Sequence, residues 1–182
     1  MSYLKNISLL IASPAMAWEE IGKNPQPRQS LLQRLLYPLI AVIAIASFVH
    51  LFYDDTATVA DCLRRAIVNV TVVFFGYMLS AYLLTLFFPT PAKAQGGTDK
   101  LHGVAIYSYV LLGGFVLLST FLPWYSIIFN FAPFYLVFSL SQGVTYIDGE
   151  LATGDLVATV KASLAVLLPF YALKVLLSAF LL

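Results

Sequence analysis

Lys174 is the residue whose type and position promise the most chemistry. It interrupts an apolar stretch about eight residues from the C-terminus, roughly 12 Å along a helix. A lysine at the centre of a bilayer costs about 2.5–3.5 kcal/mol on insertion scales, so it must find a partner, line a wet cavity, or extend its ammonium to the nearer surface. Asp54, Asp55 and Asp61 are the acids expected on the same side, and Asp61, at the mouth of the second apolar stretch, is the partner this reading selects for an intramembrane ion pair. Snorkelling without a partner is the plainer alternative.

Other reactive patterns are incomplete. Ala152-Thr153-Gly154-Asp155 lacks the first glycine of the Gly-x-Gly-Asp of intramembrane aspartyl proteases, and no second aspartate lies within an apolar stretch. There is no Gly-x-Ser-x-Gly elbow, and Gly96-Gly97 with Lys100 lacks the spacing of a phosphate loop. The lone Cys62 can form neither an internal disulfide nor a four-ligand zinc site, and His50 and His102 fall in different stretches. Asn6-Ile7-Ser8 and Asn69-Val70-Thr71 match glycosylation sequons, but the first is expected on the inner side and the second within lipid. The pattern points to a protein that is not an enzyme and needs no cofactor or metal.

The elements that position these residues are membrane spans. The chain has 182 residues, 60% hydrophobic and 10% charged, too little polar surface to clothe a water-soluble globule of that length. A net charge of +1, with its basic residues scattered, offers no field to hold nucleic acid. A helical crossing needs about 20 apolar residues. Five stretches meet this, at about 35–53, 66–88, 103–122, 124–142 and 157–182, so residues 35–182 are expected to form one all-α, five-span membrane domain. Pro38, Pro133 and Pro169 should kink three spans, and Asn69, Thr71, Gly76, Ser80 and Tyr82 in the second, with Asn130, Ser139, Ser141 and Gln142 in the fourth, should pack spans together.

Residues 1–34 form an amphipathic N-terminal segment and linker. Leu4, Ile7, Leu10, Ile11, Trp18 and Ile21 recur at mostly helical spacing, with polar residues between them. Ser13-Pro14 divides the segment into two short helices, the second closing at Gly22. Ile7, Ile11, Trp18 and Ile21 are the expected anchor to the membrane surface or the span bundle. Lys23-Asn24-Pro25-Gln26-Pro27 reads as a stiff linker, and Ser30-Leu31-Leu32-Gln33 as the capping box of the first span. Ala15-Met16-Ala17 resembles a signal-peptide cleavage site, but the apolar run before it is short and broken at Ser13-Pro14.

Lysine and arginine set the orientation. With the N-terminus cytoplasmic, Lys5, Lys23, Arg28, Arg34, Lys93, Lys100 and Lys161 lie inside, against Arg64 and Arg65 outside. Cys62 should then be open to reagents at the outer surface, and the Leu122-Pro123-Trp124-Tyr125 turn should lie outside. The inner loop near Gly143–Ala158 carries Asp148, Glu150 and Asp155, with Thr153-Gly154-Asp155 placed to cap the last span.

An amphipathic N-terminal segment with Ser13-Pro14 and Trp18-Glu19-Glu20-Ile21, a proline-bearing linker and five closely spaced spans resembles the Yip family, the Ypt/Rab-interacting membrane proteins, and most closely its small bacterial members. Gly76-Tyr77 and Gln142-Gly143 sit where members often carry small or polar residues. The resemblance implies the five-span fold and a place in a bacterial cytoplasmic (inner) membrane. It implies a fold and a location but no activity. The leading reading, from the absence of a catalytic pattern, is a protein that organises or recruits lipids, other membrane proteins or further copies of the chain, with a small transporter or channel subunit as the alternative. Eukaryotic members bind lipid-modified Rab GTPases, but their Asp-Leu-Tyr-Gly-Pro stretch and long tail are absent here, so GTPase binding does not carry over.

Overall fold

A computed structural model describes residues 2–52, 54–89, 96–122, 131–147 and 154–181. Every element among them is a helix. Two short helices, α1 (Ser2–Ala12) and α2 (Pro14–Lys23), precede α3 (Arg28–Phe52), α4 (Val59–Phe87), α5 (Gly97–Phe121), α6 (Ala132–Ile147) and α7 (Leu156–Leu181). Four of them, α3, α4, α5 and α7, are long and apolar enough to cross a bilayer. α6 has 16 described residues, about 24 Å of helix against a hydrocarbon core of about 30 Å. Residues 124–130 of the expected fourth span, and the expected outer turn apart from Leu122, lie outside the described residues.

The ends follow local chemistry, in places differently from expectation. α3 begins at Arg28, where the Pro27 carbonyl accepts from the Ser30 and Leu31 amides, so Ser30 lies inside the first turn and does not cap it. Pro38 cannot donate to the Arg34 carbonyl, and its ring crowds that turn. The helix answers with a π turn over Leu32–Leu36, in which the Tyr37 amide reaches back five residues to the Leu32 carbonyl. α4 starts at Val59, two turns before the expected span, because Thr58 and Asp61 form a capping box. The Thr58 hydroxyl accepts from the Asp61 amide at 3.2 Å and the Asp61 carboxylate accepts from the Thr58 amide at 3.1 Å. Asp155 caps α7, its Oδ1 accepting from the Ala158 amide at 2.8 Å.

α5 is the centre of the bundle. In its most apolar window 67% of residues are buried, against 22% for α7, and Gly103–Val110 are buried without interruption. α4 lies along it and α7 packs mainly on α4. Where the three meet, the Tyr109 hydroxyl donates to the Val166 carbonyl at 3.2 Å and accepts from Ser80 Oγ at 3.0 Å. Pro169 leaves the Ala165 carbonyl without its helical donor, and the hydroxyls of α5 and α4 land on the carbonyl of the next residue, Val166. Gly76 makes room for the ring, since a Cβ there would lie 2.7 Å from the Tyr109 hydroxyl oxygen.

Gly76→Ala should therefore destabilise the bundle by about 1–3 kcal/mol, the usual cost of overpacking. At Gly114 a Cβ would meet nothing within 4 Å, and Gly114→Ala should be neutral or stabilising by up to about 1 kcal/mol. Thermal unfolding of both variants in one detergent checks the contrast; equal shifts would show that Gly76 is not a packing notch.

Candidate functional site

The polar groups that converge most closely lie where α1 and α2 dock on α5 and α6. Docking starts from the break between the two short helices. Pro14 has no N–H to give the Leu10 carbonyl, and the Tyr135 hydroxyl of α6 reaches that carbonyl and the Ile11 carbonyl, the latter at 2.9 Å. α2 then lays Trp18 into the bundle. The indole is 3% exposed, and its Nε1 donates to the Ser139 carbonyl at 2.9 Å. The ring lies against Gly143, where a Cβ would come within 2.7 Å of it, and meets Tyr107 edge-on at 6.3 Å and Tyr146 at 5.6 Å. Behind it Asn6, 1% exposed, donates to the Tyr107 hydroxyl at 3.2 Å.

Beside the indole lies a pocket of about 460 Å³. α2 supplies Ala15, Trp18, Glu19 and Gly22; Lys100 comes from the first turn of α5, and Gln142, Thr145 and Tyr146 from the last turns of α6. The walls combine an aromatic floor with one cation, one anion, an amide and two hydroxyls. Glu19 is bonded to Lys23 at 2.5 Å, and the ammonium holds its carboxyl below the usual carboxylate range. Lys100 has no ion pair among the described residues. A second polar contact spans α4 and α5, the Tyr77 hydroxyl and His102 Nδ1 at 3.0 Å. No group of three or more metal-ligating side chains occurs among the described residues.

The expected anchor residues separate. Trp18 and Ile21 are buried against the bundle and Ile7 is partly buried, but Ile11 is 61% exposed. Leu4, one helical repeat before Ile11, and Met16 are exposed with it, so the docked pair keeps a second apolar surface facing outward. Lys174 and Asp61 are not brought together. Both Asp61 oxygens are occupied at the start of α4, Oδ2 with Thr58 and Oδ1 with Arg64 at 3.4 Å, and among the described residues Lys174 has no ion pair. The expectation of an accessible Cys62 is also corrected, because one turn into α4 its side chain turns inward and is fully buried. Of the expected polar packing residues, Ser80 and Ser139 are in the core, whereas Tyr82 points outward.

Two predictions follow from this geometry. Tyr135→Phe leaves the Leu10 carbonyl without the partner that Pro14 denies it and should loosen α1 and α2 by about 1–3 kcal/mol, read as faster amide exchange in residues 2–23 with α4 and α5 unchanged. Exchange confined to no segment, or unchanged throughout, would count against the role given to Tyr135. Lys174→Leu should be neutral or stabilising, and its effect additive with that of Asp61→Leu in thermal unfolding; measurable coupling would mean that the two residues meet after all.

Comparison of the chain with protein-family models, with curated proteins and with solved structures finds no match, so the site is interpreted from its own chemistry.

Proposed function

We propose that this is a non-enzymatic polytopic membrane protein of the Yip type, which organises lipids, other membrane proteins or further copies of itself in a bacterial cytoplasmic membrane. In this reading α6 and the residues before it complete a fifth crossing, and the N-terminus is cytoplasmic, following the seven-to-two excess of basic residues. The observation that carries the proposal is the docked N-terminal pair. Its inward face holds Trp18 and Ile21 against the bundle, while Leu4, Ile11 and Met16 remain outward, an arrangement suited to lie against the headgroup layer. The interior supports an organising role over a transport one. Among the described residues its buried polar groups are hydroxyls, the Asn6 amide, the Trp18 indole and the Cys62 thiol, with no carboxylate, histidine, lysine or arginine to relay a proton or neutralise an ion.

Purified protein reconstituted in vesicles should support no solute or ion flux above that of protein-free vesicles, and mild-detergent purification should retain lipid or a membrane-protein partner. Robust flux from the protein alone would replace this reading with a transporter or channel. Leu4→Asp with Ile11→Asp should reduce membrane association of the N-terminal pair, measured by quenching of a probe at position 8 with lipid-borne quencher. Quenching unaffected by both acids would remove the outward face from the proposal.

A further inference from the structure

We infer that the pocket beside Trp18 binds a phosphoethanolamine group, its phosphate on Lys100 and its ammonium toward Glu19. The inference rests on the reading above and deepens it by naming a ligand. A cavity of about 460 Å³ falls within the usual range for small-molecule sites, with an aromatic floor beneath a few converging polar groups. Its depth suits a headgroup. Lys100 stands in the first turn of a membrane-length helix, and the pocket is walled by a tryptophan and a tyrosine, the side chains that favour the level between hydrocarbon and water. Basic pockets between membrane helices on the cytoplasmic side take the phosphates of anionic lipid headgroups, and a phosphate is the part that Lys100 would hold.

The charges narrow the class. Lys100 is without an ion pair among the described residues and offers three donors to a phosphate. Glu19 shares the same pocket; its Oε1 holds Lys23, while its Oε2 has no hydrogen bond among the described residues and can still accept an N–H from a ligand. A phosphate with a pendant ammonium satisfies both walls. The ammonium has N–H groups to donate to Glu19 Oε and to the Gln142 and Thr145 oxygens, which a quaternary choline lacks. The same group occurs on a membrane phospholipid and on free O-phosphoethanolamine, and the two sources differ only in what lies beyond the phosphate.

Trp18 reports on the pocket directly. The chain has two tryptophans, so in a Trp124→Phe background Trp18 is the sole tryptophan, excited selectively at the red edge where tyrosine does not absorb. Dihexanoyl phosphatidylethanolamine titrated into this full-length protein in maltoside detergent should shift Trp18 emission saturably, with the phosphatidylcholine and phosphatidylglycerol analogues binding more weakly. Lys100→Met should weaken the phosphatidylethanolamine response roughly tenfold or more, the scale of one lost charge-assisted contact. Glu19→Gln should narrow the preference over phosphatidylglycerol. Thr145→Phe, which fills the pocket and keeps its charges, should abolish the response, and lipid-free unfolding temperatures identify any variant that has lost its fold. Tighter binding of the lipid than of O-phosphoethanolamine assigns the site to the membrane; equal affinity assigns it to the soluble compound. The inference is overturned if no saturable response appears, if folded Lys100→Met binds as before, or if phosphatidylglycerol binds as well as phosphatidylethanolamine. Those outcomes leave the organising role standing, whereas vesicle flux would remove that role whatever Trp18 reports.

Discussion

Within a bilayer a backbone carbonyl has no water to turn to, and this constraint governs how the bundle is joined. Three prolines each remove a helical donor, and the surroundings of each respond differently. At Pro38 the preceding turn widens into a π turn, in which the Tyr37 amide bonds Leu32. At Pro14 the repair comes from another helix, as Tyr135 supplies a hydroxyl to the Leu10 carbonyl. Near Pro169, Tyr109 and Ser80 converge on the Val166 carbonyl from two neighbouring helices. The contacts at Pro14 and near Pro169 are tertiary, so the neighbourhood of a helix break becomes the place where an adjacent helix is registered.

The two aromatic anchors share a design with different consequences. Tyr109 fits over Gly76 deep in the bundle, and Trp18 fits over Gly143 at its edge; in each case a missing Cβ admits a ring and a carbonyl receives its polar hydrogen. Around Tyr109 the neighbours are long helices that persist by themselves in lipid. Trp18 itself is carried by α2, ten residues long, below the length at which an isolated helix is stable in water. Its helical form therefore depends on docking, and the same contact that holds α2 in place also builds one wall of the pocket.

Hydropathy made the long helices legible, because a stretch with no charge over twenty residues has few other uses. Local chemistry was legible where donor and acceptor are near in sequence, as with Pro14 opening α2 and Asp155 capping α7. The Thr58–Asp61 box was equally readable by spacing, and recognising it would have removed Asp61 from the candidates for Lys174, since a carboxylate already accepting an amide and a hydroxyl gains less from a distant ammonium. Periodicity showed that the N-terminal segment has an apolar face but could not say that there are two. Ile11 and Trp18 both fit a helical repeat, yet the break at Pro14 turns them to different sides. Tyr135, 125 residues from Leu10, gave no local signal at all, being one of eleven tyrosines in an apolar chain.

The fate of Lys174 shows what exposure means in such a protein. Its side chain lies on the outside of α7, among a run of exposed apolar residues that includes Val175 and Leu176, and that surface faces lipid if the helix spans. Pairing with an acid across the bundle would require the lysine to rotate into a packed interface and both charges to give up solvation, a cost that attraction in a low dielectric recovers only with good geometry. Reaching for the nearer surface requires only an extended side chain, and about eight residues of helix bring that surface within range of a flexible four-carbon stem and local thinning of the bilayer. The pocket residue Lys100 has the opposite setting, in the first turn of its helix, close to water and beside polar walls. Of the two lysines singled out by position, the one at the helix end is the better placed to hold a ligand, because its charge is retained at no cost of insertion.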